Sequence, residues 1–214
     1  MKEETIHTLS HSLLRLLPTR TLFAESDEVA ARVGAAIQRR RPVVLEGFVD
    51  DQLLQLLAPI WSGASFMPSP VDRVGLRSVE TPGHAGAALC LALARPEVLR
   101  IMESALCGPA LTGVAGAIAQ FAAGAEERLG WHDDLAEPER KLAITINLGT
   151  APYQGGAFEF RDLASGAPPF RHVHSTPGEA LLFPIGAGLQ HRVLPVTGGG
   201  PRTVFAGWYL GEAA

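Results

Sequence analysis

The sequence predicts a mainly β protein whose N-terminal side is helical, with the β part closing into a sandwich or barrel. Three observations lead there. The chain has 214 residues, enough for one domain with a proper core. Its 23 glycines and 16 prolines imply many turns and therefore many strands. From about residue 112 onward, eight short β-like runs follow one another with no helix-length periodic segment between them.

The first 110 residues read mainly as helix. In "SDEVAARVGAAIQRRR", Ser26 stands as an N-cap, acids fill the first turn and arginines the last. "PVVLEGFV" (42–49) reads as a short strand. "DDQLLQLLAPIW" and "ARPEVLRIMESALCG" have helical spacing, and the second ends at Gly108-Pro109. Between these two helices, residues 62–86 are rich in turn formers and read as a lid or an irregular loop with one strand.

The eight β runs are 113–122, 128–134, 141–149, 156–162, 170–176, 179–184, 190–196 and 202–210, divided by segments of Gly, Pro and acidic residues. No internal repeat and no linker interrupts the chain. It is therefore expected to be one domain over 1–214, with helical support and lid to about 110 and the β core over about 112–210.

Composition excludes several classes. A net charge of −4 gives no footprint for nucleic acid or an anionic membrane, and Arg39-Arg40-Arg41 reads as the solvated end of a helix. Two cysteines, Cys90 and Cys107, lack metal-site spacing and read as buried free thiols. No signal-type segment and no run of 18 apolar residues occurs, so a cytoplasmic protein is expected.

The stretch "GWHDDL" (130–135) carries the chemistry. In a strand, His132 and Asp134 point one way and Asp133 the other. A His-x-Asp alone is usually a turn. However, another predicted strand carries His191 in "LQHRVLPV". Two histidines and a carboxylate on a rigid β scaffold form the set that holds non-haem Fe(II) with open coordination positions. Arg202 then opens the last strand, on the face shared with Val204, Ala206 and Trp208. A guanidinium inside a barrel needs an anion, and its planar fork suits a carboxylate. Asp133 is the rival ligand, favoured only if a bulge breaks the alternation. His172 and His174 also alternate, yet without a suitably spaced carboxylate they read as exposed strand residues. His7, His11 and His84 read as surface residues. Trp131 reads as packing on the opposite face.

His132-x-Asp134, His191 and Arg202, in that order, resemble the Fe(II)/2-oxoglutarate-dependent dioxygenase superfamily, and within it the prolyl-4-hydroxylase-like branch. The likeness covers roughly 113–210. It includes "AIAQFAAGAEERLGWHDD", the Gly-Gly hairpin "YQGGAFEF", "PGEALLFP" before the distal histidine, and "RTVFAGWY" with a Trp six residues after the Arg.

The resemblance implies a double-stranded β-helix (jelly-roll, cupin-like) core with helices packed on one sheet. It implies Fe(II) on His132, Asp134 and His191, and 2-oxoglutarate and O2 as co-substrates, with ascorbate as reductant in the assay. The C5 carboxylate of 2-oxoglutarate would pair with Arg202. Trp208 would wall the co-substrate pocket. Relatives often add a hydroxyl to that carboxylate; the final strand offers none, so Thr145, Asn147 and Gln120 are the candidates. Asp134 argues for hydroxylation rather than halogenation.

The polar residues of 62–86, with Arg73 and Arg77 foremost, suit a small polar substrate such as an amino acid, another metabolite or a natural-product intermediate, and His174 is a further substrate candidate. A Pro, Asp or Asn side chain in a peptide is the alternative. More distant is a cupin-like metal barrel without oxygenase activity, for which Arg202 has no evident use. Nucleic acid and membrane are not expected partners.

Overall fold

The computed structural model describes residues 8–9, 14–23, 26–108 and 110–213. Among them, twelve strands form one sheet. Ten of them run in the order Val43–Leu45, Ala180–Pro184, Arg140–Asn147, Arg202–Gly211, Leu111–Phe121, Gly75–Thr81, Arg128–His132, Leu189–Val193, Phe158–Asp162, Phe170–His172. Every adjacent pair in that order is antiparallel. Thr8–Leu9 adds a parallel strand to one edge, and Ser65–Val71 pairs with Gly75–Thr81.

The sheet curls until its halves share an interior. Two apolar clusters demonstrate this. Ala143 and Leu181 from one half pack with Phe158, Phe160 and Leu189 from the other. Ala119, Phe121 and Val204 pack with Leu129 and Val193. This is the mainly β, jelly-roll architecture that the resemblance implies.

Alternation along each strand separates this interior from the helical layer. Ile118, Leu142, Ile144, Ile146, Leu182, Phe205 and Tyr209 face the other way and join the largest core cluster with the helices. Those helices are Ser26–Gln38, Asp51–Ser62, His84–Leu93 and Pro96–Leu106. They cover one side of the sheet and leave the curled side free for a site.

Several expectations are corrected. Residues 62–86 are not an irregular loop: Ser65–Val71 and Gly75–Thr81 form a full hairpin joined to the main sheet. The helix His84–Leu93 gave no sequence signal. Its residues are nearly all apolar, so no amphipathic period appears. Its N-terminus is capped from outside, by Glu80, which accepts from the Ala85 and Gly86 amides at 2.9 Å.

The first helix stops at Gln38, before the arginines, and the capping side chain of Ser26 lies outside what is described. Arg39, Arg40 and Arg41 are exposed just past the helix end, and Arg40 turns back with a positive φ of 57° and binds Asp162 at 2.7 Å. Cys107 is exposed at a helix end rather than buried, and Cys90 is half-buried. His84 opens its helix at the surface, whereas His7 and His11 lie outside the described residues.

Gly116 and Gly207 face each other across the two central strands. A Cβ on Gly207 would stand 2.6 Å from the Ala115 carbonyl and 2.7 Å from the Phe205 ring. Gly113, in the same strand as Gly116, has open space. Gly207→Ala should therefore lower stability by roughly 1–3 kcal/mol, while Gly113→Ala should not. Chemical denaturation of both variants checks this; equal effects would mean that the sheet has room around Phe205.

Candidate functional site

The curled interior holds a partly open cavity lined by His132, Asp134, His191 and Arg202. His132 and His191 sit on neighbouring strands as direct partners, and their rings are 4.0 Å apart. Asp134 follows the end of the His132 strand. Its Oδ1 is 3.6 Å from His132 Nε2, and its Oδ2 is 3.5 Å from His191 Nε2.

The alternation that favoured Asp134 over Asp133 stops at His132, the last strand residue. Asp134 instead has a left-handed backbone, φ 60°, which brings its carboxylate back over the imidazoles. Asp133 is turned away and accepts from the Leu135 amide at 3.2 Å.

These three groups suit a divalent cation. Donor atoms about 3.5 Å apart match two ligands on a metal with bonds of about 2.1 Å. His132 Nδ1 stands 2.9 Å from the Gly130 carbonyl. A proton held there leaves the Nε2 lone pair facing Asp134. Burial, followed by the nearby His132, holds His191 well below the ordinary histidine pKa, so it stays neutral and ready to ligate.

Trp208 lines the same cavity as Arg202, and its Nε1–H also donates to Asp134 Oδ2 at 2.8 Å, so the indole orients that carboxylate. Arg140 lies over that indole, 3.9 Å from the ring centre.

Arg202 is 2% exposed, and its Nε is buried with no hydrogen-bond partner. Phe121 lies under the guanidinium, 5.2 Å away. Burial lowers the pKa of Arg202, opposed by Tyr153. Tyr153 was missed in the sequence. Its hydroxyl is buried without a partner, its pKa is raised by burial, and Arg202 opposes that rise. Arginine and phenol thus stand side by side, each with a buried donor of the kind that suits an anion.

The other candidates separate. Thr145 lines the cavity. Gln120 does not: it lies on the opposite face of its strand, bonded to Thr203 at 3.2 Å. Asn147 is locked to backbone, donating to the Thr176 carbonyl at 2.9 Å and accepting from the Gly149 amide. Arg73 is exposed at the hairpin turn beside Asp72, away from the cavity. Arg77 lines the cavity. Trp131 lies on the outer face, beneath Arg161 and Arg192.

His172 and His174 are not exposed strand residues. His172 Nε2 and His174 Nδ1 both donate to Glu179 Oε1, at 2.6 and 2.7 Å, and Ser175 donates to Oε2. His174 Nε2 meets Thr145 Oγ1 at 2.8 Å. His174 therefore reaches the cavity only through Thr145. Separations of 2.6–2.7 Å are hydrogen-bond lengths, too short for two ligands on one metal ion.

Burial pushes the His174 pKa down to about 4 despite Glu179. On Glu179, the hydrogen bonds from His172 and His174 outweigh burial and hold the carboxyl well below the usual range.

Against this geometry, residues 117–210 match the family model of the 2OG-Fe(II) oxygenase superfamily. The family model and the His132, Asp134 and His191 set together support a 2-oxoglutarate- and Fe(II)-dependent oxygenase.

Solved structures share the fold. A prolyl-4-hydroxylase from Pseudomonas putida is 19% identical with a TM-score of 0.63, covering 86% of this chain and 99% of its own. A prolyl hydroxylase from Trichoplax adhaerens, bound to a hypoxia-inducible-factor peptide, is 13% identical with a TM-score of 0.70, covering 87% and 91%. The epimerase SnoN, in complex with Fe3+, α-ketoglutarate and nogalamycin RO, is 14% identical with a TM-score of 0.60, covering 86% and 84%. No curated protein matches the chain. No described helix is long and apolar enough to cross a membrane.

Two outcomes follow from this geometry. Trp208→Phe keeps the ring but removes the bond to Asp134, and should weaken Fe(II) or Mn(II) binding about 10–100-fold. A metal titration reads it; unchanged affinity would leave the indole a packing role only.

His174 gives the second. Its folded pKa, about 4, lies below the ordinary 6.5. The fold favours neutral imidazole, so this stabilisation is complete above pH 6.5 and lost as pH falls toward 4. The loss should reach roughly 3 kcal/mol. His174→Gln should flatten that part of the unfolding free energy against pH. An unchanged slope would mean that His174 is protonated in the fold.

Proposed function

We propose that the protein hydroxylates an unactivated C–H bond of a small polar substrate, with Fe(II) on His132, Asp134 and His191. We further propose that the C5 carboxylate of 2-oxoglutarate pairs with Arg202. The observation that carries this reading is one cavity holding both the His-Asp-His set and a sealed, partly unpartnered guanidinium. A cupin-like barrel without 2-oxoglutarate has no use for the second of these.

When bound, iron and 2-oxoglutarate supply the oxidising chemistry: O2 is consumed, 2-oxoglutarate becomes succinate and CO2, and one oxygen atom enters the substrate. The residues of this chain do the positioning. The Gly130 carbonyl fixes the His132 tautomer. Trp208 holds Asp134 in one rotamer. Arg202 and Tyr153 receive the distal carboxylate, and their burial strengthens that pairing. Thr145, oriented by His174, faces the same cavity. The apolar walls around Phe158 and Phe183 keep water from the metal end.

A peptide side chain is the second reading, favoured by the fold shared with a prolyl hydroxylase bound to a peptide. The hairpin weakens it. Pro68 and Pro70 stand in its outer strand and have no N–H to offer. They are two apart, on one side of a strand whose inner side pairs along all seven residues. An added peptide strand would lose both donors there.

Succinate release under Fe(II), 2-oxoglutarate and ascorbate, stimulated by free amino acids and related metabolites with a mass gain of one oxygen, is the expected result. His132→Ala and His191→Ala should lose iron and turnover, and Asp134→Ala should lose far more activity than Asp133→Ala. Stimulation by peptides alone would overturn the small-molecule reading. Iron binding intact in both histidine variants would overturn the metal site.

A further inference from the structure

Arg77 is a second guanidinium in the cavity. It lies on Gly75–Thr81, where alternation turns Arg77 and Val79 inward and Ser78 and Glu80 outward. Its Nε is buried without a hydrogen-bond partner, and the side chain makes no hydrogen bond or ion pair among the described residues. Asp134 is the carboxylate that acts on it most, and Arg140 is the neighbouring cation.

Asp134 cannot satisfy it. In the reading proposed above, on which this inference rests, that carboxylate is committed to the metal and to Trp208. Arg140 already stands 3.7 Å from Asp134 Oδ1.

Formal charge leads to the same conclusion. Fe(II) brings two positive charges, and Asp134 removes one. The neutral histidines change nothing. Arg77 and Arg202 add two more. Among the charged groups that line the cavity, dianionic 2-oxoglutarate then leaves one positive charge uncompensated, and an unpaired buried charge is costly. That charge belongs to Arg77, because Arg202 receives the C5 carboxylate. A single planar fork selects a single planar anion.

We infer that the substrate is a small carboxylic acid whose carboxylate is held by Arg77. The site would take free amino acids or hydroxy acids, and would reject their amides and the interior residues of a peptide. The carbon oxidised then lies within the short span between a carboxylate on Arg77 and the metal end of the cavity.

The test uses the intact chain with Fe(II) and 2-oxoglutarate. A panel of free amino acids and 2-hydroxy acids is compared with the matching carboxamides by substrate-stimulated succinate release. The acids should stimulate, and the amides should be at least tenfold weaker. Arg77→Met keeps the length of the side chain and should lower stimulation at low substrate by 10–100-fold. Arg77→Lys should recover part of it. The affinity for 2-oxoglutarate, measured with Mn(II) in place of Fe(II), should change by no more than about twofold in Arg77→Met.

Equal stimulation by acids and amides, stimulation by no acid in the panel, or an Arg77→Met variant that loses 2-oxoglutarate affinity as strongly as substrate response would each overturn the inference. A wild-type protein that binds no 2-oxoglutarate with Mn(II) would instead overturn the co-substrate reading beneath it.

Discussion

A guanidinium sealed inside a curled sheet is the constraint around which this protein is organised. Arg202 is 2% exposed, in a layer where its strand neighbours are Val204 and Ala206. Removing such a charge from water costs several kcal/mol unless it is paired. Phe121 beneath it and Tyr153 beside it recover part of that cost, and neither supplies an anion. The stability of the fold must therefore come from elsewhere. It comes from the opposite face of the same strands, where Phe205, Tyr209 and Ile146 pack into the helical layer. One face of the central strands stabilises the protein, and the other is free to be chemically awkward.

That division governs the rest of the interior. At the metal end, Asp134 adopts a left-handed backbone to bring its carboxylate between two imidazoles, and Trp208 from the Arg202 strand fixes it there. On a third side, Glu179 collects His172, His174 and Ser175, and passes that order to Thr145 at the cavity wall. Each of these groups is polar and largely buried, and each orients another polar group. Arg202, Tyr153 and Arg77 are the exceptions, each with a buried polar atom that has no hydrogen-bond partner among the described residues. Arg202 and Arg77 line the cavity, which is where the proposed reading brings co-substrate and substrate.

Sequence reasoning reached this site unevenly, for physical reasons. His132, His191 and Arg202 were legible because they lie on true strands with strong turn signals around them. Asp134 joins the two histidines, yet not by the alternation that points to it, since the strand ends at His132 and a left-handed residue places the carboxylate. Gln120 illustrates parity: in "AIAQFA" nothing local says which alternate set faces inward, and Ala119 and Phe121 do. Tyr153 was hidden because its strand has only three residues and follows a turn. The hairpin of residues 65–81 was hidden because Pro68 and Pro70 argue against a strand, although an outer strand tolerates them. His174 looked exposed because its acceptor, Glu179, lies across a turn that sequence spacing does not reveal.

On the proposed reading, Arg202 burdens the empty fold and is committed to a carboxylate ligand. Thermal and chemical unfolding of wild type and Arg202→Met, with and without Mn(II) and 2-oxoglutarate, tests it most directly. The account predicts that Arg202→Met without ligand is at least as stable as wild type. It predicts too that 2-oxoglutarate at about 100 times its dissociation constant stabilises wild type by about 2.7 kcal/mol and the variant hardly at all. A variant that is markedly destabilised without ligand, yet still stabilised by 2-oxoglutarate as wild type is, would contradict it.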